Sequence, residues 1–281
     1  MKGTELQSSI LELEEVFMRF GIDTNSPGFY DDSSFLAVER FSSSFLENYA
    51  AYVQFRKYEE TYIKKATIEI PFIVKIIHEE LIKDGRLGAC VDASIVISRI
   101  LEKEGFWNYL VKGSLTIEFP EEAKLEDRYF WSVDHGEFVA AHAWVVAPPF
   151  NIIDITVKQQ PFFKGEEKWL PPFMIHSDYN SCLVEDKDVI SPDLRLIMKR
   201  EFKGKLLPHT RENWNQFVKI FKPNLVSVDG LKLKYIPVGI SAPDEPLERV
   251  GTLNLCGRRG IELYNDLILP QLSKFRKANA I

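Results

Sequence analysis

The chain contains 281 residues, of which 45% are hydrophobic and 27% are charged, and its formal net charge is -6. A chain of this length can bury a full hydrophobic core, and its composition is that of an ordinary globular protein rather than of a disordered one. The negative charge argues against nucleic acid and anionic membranes as partners, because both attract cationic surfaces.

The sequence gives no sign of a membrane span or of a secretion signal. Charged residues interrupt the apolar runs well before the roughly 18 residues that a membrane helix needs, and residues 1–5 lead into an amphipathic segment, unlike a signal peptide. Cys90, Cys182 and Cys256 make neither a paired disulfide framework nor a Cys-x-x-Cys metal site. We therefore predict a cytoplasmic protein with free thiols, no metal and no cofactor.

The first part of the chain is predicted to be helical. Residues 6–20 repeat apolar side chains at helical spacing, and Gly21 is a natural stop. Between Ser42 and Tyr62, aromatic residues recur at multiples of three or four positions, which predicts one helix with an aromatic face in the core. The favoured interpretation is a core helix face; a second interpretation makes Gln54 in this segment an oxyanion donor in a catalytic cleft.

Pro71 is placed to begin the next helix, because the first helical position needs no backbone N–H, and Gly85 is placed to end it. Within this helix, His78-Glu79 resembles the start of the zinc-protease motif His-Glu-x-x-His. The position that should hold the second histidine is Ile82. We therefore interpret His78 as a histidine at the surface or boundary of the helix.

After Gly105 the pattern changes from helical to β. Short runs rich in β-branched and aromatic residues occupy 107–119, 129–133, 138–146 and 151–157. Segments typical of exposed turns separate these runs, so the runs are predicted to form an antiparallel sheet.

The remainder of the chain begins with a long irregular segment after Lys158. Helix starts are then predicted at Ser191 and Thr210, an extended segment at 231–240, and a last helix at 260–277 that Pro270 should kink or break. These patterns predict an N-terminal helical lobe at 1–84, a catalytic core at 85–160 and a C-terminal accessory lobe at 161–281, integrated into one domain.

Cys90 is the candidate nucleophile. It follows the run Gly85-Arg86-Leu87-Gly88-Ala89 and begins an apolar helix that ends near Gly105. At the N-terminus of a helix, the free N–H groups and the helix dipole favour a thiolate and can hold a developing oxyanion. A buried cysteine on its own is more often an inert core residue, so the prediction depends on its partners.

His142 and Asp154 lie in neighbouring predicted strands. Because side chains alternate along a strand, His142 shares one face with Trp144, while Ala143 and Val145 occupy the other. Asp154 interrupts a strongly β-forming run, and burying a lone carboxylate there would be costly. A hydrogen bond from His142 on the neighbouring strand would offset that cost.

These residues predict a catalytic triad. Cys90 attacks a carbonyl carbon, His142 transfers the proton, and Asp154 fixes the imidazole tautomer and stabilises its charged form. Trp144, on the same strand face as the histidine, is the predicted substrate-binding residue. His135 is the alternative histidine, but it lies in a predicted turn without a strand neighbour.

The pattern resembles the transglutaminase-like branch of the papain-like cysteine enzymes, through Gly88-x-Cys90-x-Asp92, His142-Ala143-Trp144-Val145 and Asp154-x-Thr156. The resemblance covers residues 85–157. It implies an α+β fold in which a nucleophile-bearing central helix packs on an antiparallel sheet that supplies the histidine and the aspartate, between helical flanking lobes. The additional β domains and calcium sites of the better-known crosslinking members have no evident counterpart, which favours hydrolysis.

The resulting hypothesis is a cysteine hydrolase of the peptidase or amidase type. It would cleave an amide or isopeptide-like bond in a protein, a peptide or a small amide, through a thioester intermediate. Two alternatives are a transglutaminase-like acyltransferase and a noncatalytic binding module that kept the fold. The sequence does not indicate an oligomeric state.

Overall fold

The computed structural model describes residues 5–134, 137–138, 141–163, 165–251 and 253–279. Its architecture is α+β, with helices packed on both faces of a seven-stranded antiparallel sheet. The predicted α+β class with an antiparallel sheet is therefore confirmed.

The α-helices are α1 (Ile10–Arg19), α2 (Ser33–Glu39), α3 (Leu46–Phe55), α4 (Glu60–Asp84), α5 (Cys90–Lys103), α6 (Asp186–Val189), α7 (Pro192–Glu201), α8 (Trp214–Ile220), α9 (Gly260–Leu263) and α10 (Leu269–Asn279). A π-helical turn over Tyr264–Ile268 joins the last two. The interruption predicted near Pro270 is thus a change of helical pitch that accommodates the missing N–H. Among the described helices, none is long and apolar enough to span a membrane.

The strands are β1 (Tyr109–Glu118), β2 (Arg128–Phe130), β3 (Val133–Asp134), β4 (Glu137–Phe138), β5 (His142–Ala147), β6 (Phe150–Asp154), β7 (Met174–His176), β8 (Asn224–Val228), β9 (Leu231–Ser241), β10 (Asn254–Leu255) and β11 (Arg258–Arg259). The main sheet has the order β7-β6-β5-β1-β9-β8, and β2 also pairs with β1. One edge of β1 pairs with β9 along most of its length. The other edge pairs first with β5, over Tyr109–Gly113, and then with β2, over Leu115–Ile117.

The two faces of the sheet bury different sets of helices. Val111 and Trp144 point into a core shared with α1, α2 and α3. Leu110 and Val145, one position away on the same strands, point into a core shared with α4, α5 and α10. The predicted alternation along the strand of His142 is therefore confirmed, and its face is the one that carries Trp144.

Two helix boundaries differ from the sequence prediction. The aromatic segment is not one helix, because α3 ends at Phe55 and α4 begins only at Glu60. Pro71 does not begin a helix but lies inside the 25-residue α4. Ile70 and Ile73 beside it are completely buried, so packing of the apolar face stabilises the helix through a residue that lacks its hydrogen bond.

Helix α5 is fixed to the rest of the molecule by a buried arginine. Arg99 forms ion pairs with Asp31 at 2.6 Å and with Glu102 at 2.9 Å. It also donates hydrogen bonds to the carbonyl oxygens of Pro243 and Glu245, both at 2.8 Å. The helix that begins at the candidate nucleophile is therefore held by both the N-terminal and the C-terminal parts of the chain.

Candidate catalytic site

Cys90 is the first residue of α5, as predicted, and is 5% exposed. The cap residue Ala89 accepts no hydrogen bond through its side chain. No capping side chain therefore binds the N–H groups of the first turn. Gly88 has a φ of +69°, in the left-handed region that glycine adopts without strain. Its N–H donates to the carbonyl oxygen of Gln159 at 2.8 Å, which ties the loop before Cys90 to the segment after β6.

His142 and Asp154 meet across neighbouring antiparallel strands. His142 is the first residue of β5 and Asp154 the last of β6. The Nε2 atom of His142 lies 2.6 Å from Oδ2 of Asp154, and both side chains are fully buried. The contact is the one that the sequence predicted from the cost of burying a lone carboxylate.

Asp154 is held from three directions. Besides His142, the Tyr235 hydroxyl donates to Oδ2 at 3.0 Å. The backbone N–H and the hydroxyl of Thr156 donate to Oδ1 at 2.8 and 2.9 Å. Burial alone would raise the pKa of this carboxyl, but the His142 ring and these donors outweigh burial and lower the pKa. Asp154 is thus kept ionised and in one orientation.

The His142 imidazole is poised to carry a positive charge. Burial disfavours the charged ring, but the Asp154 carboxylate and the Cys90 sulfur outweigh burial and raise the pKa of His142 to about 10. With Nε2 on Asp154, the other nitrogen, Nδ1, is buried without a hydrogen bond of standard geometry. Cys90 therefore lies within electrostatic reach of the ring without a tightly aligned hydrogen bond.

Aromatic rings surround the imidazole. Its ring centre lies 6.1 Å from that of Phe130, 6.3 Å from that of Trp144 and 6.2 Å from that of Tyr235. Trp144, the predicted substrate-binding residue, is 2% exposed. With Tyr235 it forms one wall of a cavity of about 220 Å³ that extends along the sheet away from His142.

The alternative candidate residues lie elsewhere. Gln54 donates one amide N–H to the carbonyl oxygen of Ile220 at 2.7 Å and accepts from the Tyr109 hydroxyl, so both its amide nitrogen and its amide oxygen already have partners. His78 lies on α4, where it packs against Phe173. His135 lies outside the described residues.

The other two thiols differ from Cys90 in their surroundings. Burial raises the pKa of Cys182 to about 11, which disfavours its thiolate. Cys256 is exposed, in a turn with a φ of +50°. Within the described ranges, no cluster of histidine, cysteine and acidic side chains has the arrangement of a metal site.

Two of the residues that hold Asp154, Tyr235 and Thr156, were not predicted from the sequence to bind its carboxylate. Thr156 was considered only as the last residue of the Asp154-x-Thr156 pattern. A threonine two residues after an aspartate does carry a local signal, because the carboxylate can accept a hydrogen bond from the backbone N–H that follows it. Tyr235 lies 81 residues from Asp154, and no local pattern marks it.

Comparison of the chain with protein-family models, with curated proteins and with solved structures found no match. The chemistry of the site is therefore inferred from its geometry.

Proposed function

We propose that the protein is a cysteine hydrolase that cleaves an amide or isopeptide-like bond. The observation that carries the proposal is the buried His142–Asp154 pair, whose imidazole lies within interaction range of a cysteine at the start of a helix. A carboxylate that holds one imidazole nitrogen leaves the other to exchange a proton with a thiol, which is how a nucleophilic triad works.

In the first half of the reaction, the Cys90 thiolate attacks the carbonyl carbon, and the carbonyl π electrons move to the oxygen. Backbone N–H groups at the start of α5 stabilise this oxyanion. When the tetrahedral intermediate collapses, the carbon–nitrogen bond breaks and the His142 imidazolium donates its proton to the leaving amine. The product is a thioester on Cys90.

In the second half, the neutral His142 ring accepts a proton from water as the water oxygen attacks the thioester carbon. Collapse releases the carboxylic acid and restores the thiolate beside an imidazolium. Asp154 remains ionised throughout, because it stabilises the charged ring rather than taking the proton itself.

The architecture supports a transglutaminase-like version of this chemistry. A helix that begins at the cysteine packs on an antiparallel sheet whose adjacent strands carry the histidine and the aspartate, which is the arrangement that the sequence resemblance implies. We infer a papain-like core on this basis.

Labelling tests the nucleophile directly. An ordinary thiol is almost entirely protonated at pH 6, so rapid alkylation by iodoacetamide at that pH requires an activating partner such as His142. We expect wild type, Cys182→Ala and Cys256→Ala to be alkylated at the same residue, and Cys90→Ala to lose that reaction, as measured by intact mass and peptide mapping. Alkylation confined to Cys182 or Cys256 in the wild type would contradict the proposal.

Turnover of p-nitrophenyl acetate separates the hydrolase from its rivals. A hydrolase should release nitrophenol repeatedly and return to its unmodified mass, whereas an acyltransferase should do so only when a primary amine is added. The observation that favours a noncatalytic module is the burial of Cys90, which is 5% exposed. Such a module should show neither acylation of Cys90 nor turnover.

A further inference from the structure

Strand β2 brings an aromatic and cationic group to the candidate site. Phe130 contacts the His142 ring, and the ring of Phe162 meets Phe130 edge-on with 6.0 Å between centres. Two residues before Phe130, the guanidinium carbon of Arg128 lies 5.6 Å from the centre of the Phe130 ring and 5.3 Å from that of Phe163. A single aromatic side chain therefore contacts both the candidate catalytic histidine and an arginine.

Arg128 lies next to the candidate site and differs from three well-anchored arginines in lacking a described carboxylate partner. Arg99, Arg211 and Arg276 each pair with a carboxylate at 2.6 Å. No carboxylate among the side chains that the structure describes, which exclude that of Glu137, pairs with Arg128, and its Nε atom is buried without a hydrogen-bond partner among them. A buried donor that lacks a partner is costly, and an arginine fork fits a carboxylate particularly well.

Two loops near this part of the site carry exposed apolar side chains. Phe163, which stacks against it, is 60% exposed, and Leu87, three residues before Cys90, is 62% exposed. The hydrogen bond between Gly88 and Gln159 joins the loops that carry these two residues. A cation that packs on an exposed phenylalanine fits a ligand that combines a carboxylate with apolar groups.

We propose that Arg128 binds a carboxylate of the acyl donor, so that the substrate is an acidic amide whose acyl part carries a negative charge near the scissile bond. This inference rests on the proposed hydrolase function, because it takes Cys90 as the nucleophile. Phe130 and Phe163 hold the guanidinium in place, and the charged fork selects the substrate.

Two alkylating reagents of nearly equal size test the proposal. Iodoacetate carries a carboxylate and iodoacetamide does not, so the ratio of their rates at Cys90 reports the attraction of the site for an anion. We expect wild type to favour iodoacetate more strongly than free cysteine does. Arg128→Gln should lower the ratio about three- to tenfold, the scale expected for one charge at the mouth of a partly desolvated site.

The matched control is Arg56→Gln. Arg56 also lies over an aromatic ring, 3.8 Å from the centre of Trp107, and its Nε and Nη1 atoms are also buried without partners. It lies near the opposite end of β1 from Phe130, so its replacement should leave the ratio within about twofold of wild type. Arg128→Lys, which keeps the charge, should retain most of the preference.

The outcomes distinguish the two proposals. If Cys90 of the wild type reacts with neither reagent, the hydrolase proposal fails. If Cys90 reacts but Arg128→Gln and wild type have the same ratio, Arg128 does not bind the carboxylate and only the present inference fails. The wild-type ratio should also fall as salt rises from low to physiological concentration, and a ratio independent of salt would overturn the inference without any variant.

Discussion

Two buried polar clusters lie against helix α5, one around Arg99 and one at Cys90 that includes His142 and Asp154. They differ in how completely their polar atoms are hydrogen-bonded. In the cluster around Arg99, every guanidinium nitrogen donates, either to Asp31, to Glu102 or to a backbone carbonyl. In the cluster at the start of the helix, the Asp154 carboxylate is equally well paired, but Nδ1 of His142 is not.

This difference separates a structural cluster from a reactive one. A polar network whose donors and acceptors are all occupied fixes one packing arrangement and has no atom left for a substrate. The His142 cluster is saturated on the side of the aspartate and open on the side of the cysteine. The comparison therefore predicts that changes at the two clusters alter different properties of the protein.

The largest expected effect is on the reactivity of Cys90. His142→Gln removes the base and the positive charge, and should slow alkylation of Cys90 by iodoacetamide at pH 6 about 100-fold or more. Arg99→Met should change that rate by less than about twofold, because the Arg99 cluster is separate from the reacting atoms. Equal losses of rate in the two variants would show that the clusters are not functionally distinct.

The converse effect is on stability. Arg99→Met leaves Asp31 and Glu102 without their buried partner and should lower the free energy of unfolding by about 3 kcal/mol, measured by urea denaturation. Lys103→Met on the same helix removes an exposed pair with Glu248 at 3.0 Å and should cost less than about 1 kcal/mol. A loss at Arg99 no greater than that at Lys103 would contradict the structural role.

The stability that the His142–Asp154 pair contributes should depend on pH. Because the pKa of His142 is raised from 6.5 to about 10 in the folded state, its charged pair with Asp154 stabilises the fold fully below pH 6.5. This contribution is lost as the pH rises toward 10. Asp154→Asn should be less stable than wild type by about 2 kcal/mol near pH 6, and the difference should shrink toward pH 10. A difference that grows with pH would refute this assignment.

The smallest effect concerns Tyr235, a positioning residue. Tyr235→Phe removes one donor to Asp154 and should slow alkylation of Cys90 by about three- to tenfold, on the scale of one hydrogen bond to a charged group. Tyr109→Phe is the matched control, since Tyr109 is also a buried tyrosine on the same sheet face but donates to Gln54. It should affect stability and leave the reactivity of Cys90 unchanged.

The parts of the site that could be predicted from the sequence are those set by local pattern. A glycine-containing loop followed by an apolar helical run placed Cys90 at a helix start, and strand alternation placed His142. The cost of burying a carboxylate suggested that Asp154 had a partner. Each of these inferences needed only a few neighbouring residues.

The parts that could not be predicted depend on tertiary packing. Pro71 satisfies the local rule for a helix start, yet buried isoleucines on both sides carry α4 through it. Tyr235 reaches Asp154 only because β9 pairs with β1, and the lack of a carboxylate partner for Arg128 among the described side chains is a property of its tertiary surroundings. Neither property is visible in a short stretch of sequence.

The position of β9 between β1 and β8 has a consequence for synthesis on the ribosome. A nascent chain that has not reached Leu231 contains Cys90, His142 and Asp154 but leaves a long edge of β1 unpaired. Unpaired strand edges promote association with other chains, so a stall at this stage should favour aggregation. Tyr235, which donates a hydrogen bond to Asp154, lies in β9, the strand that pairs with this edge of β1. The last hydrogen bond to Asp154 therefore forms at the same stage of synthesis at which the exposed edge is covered.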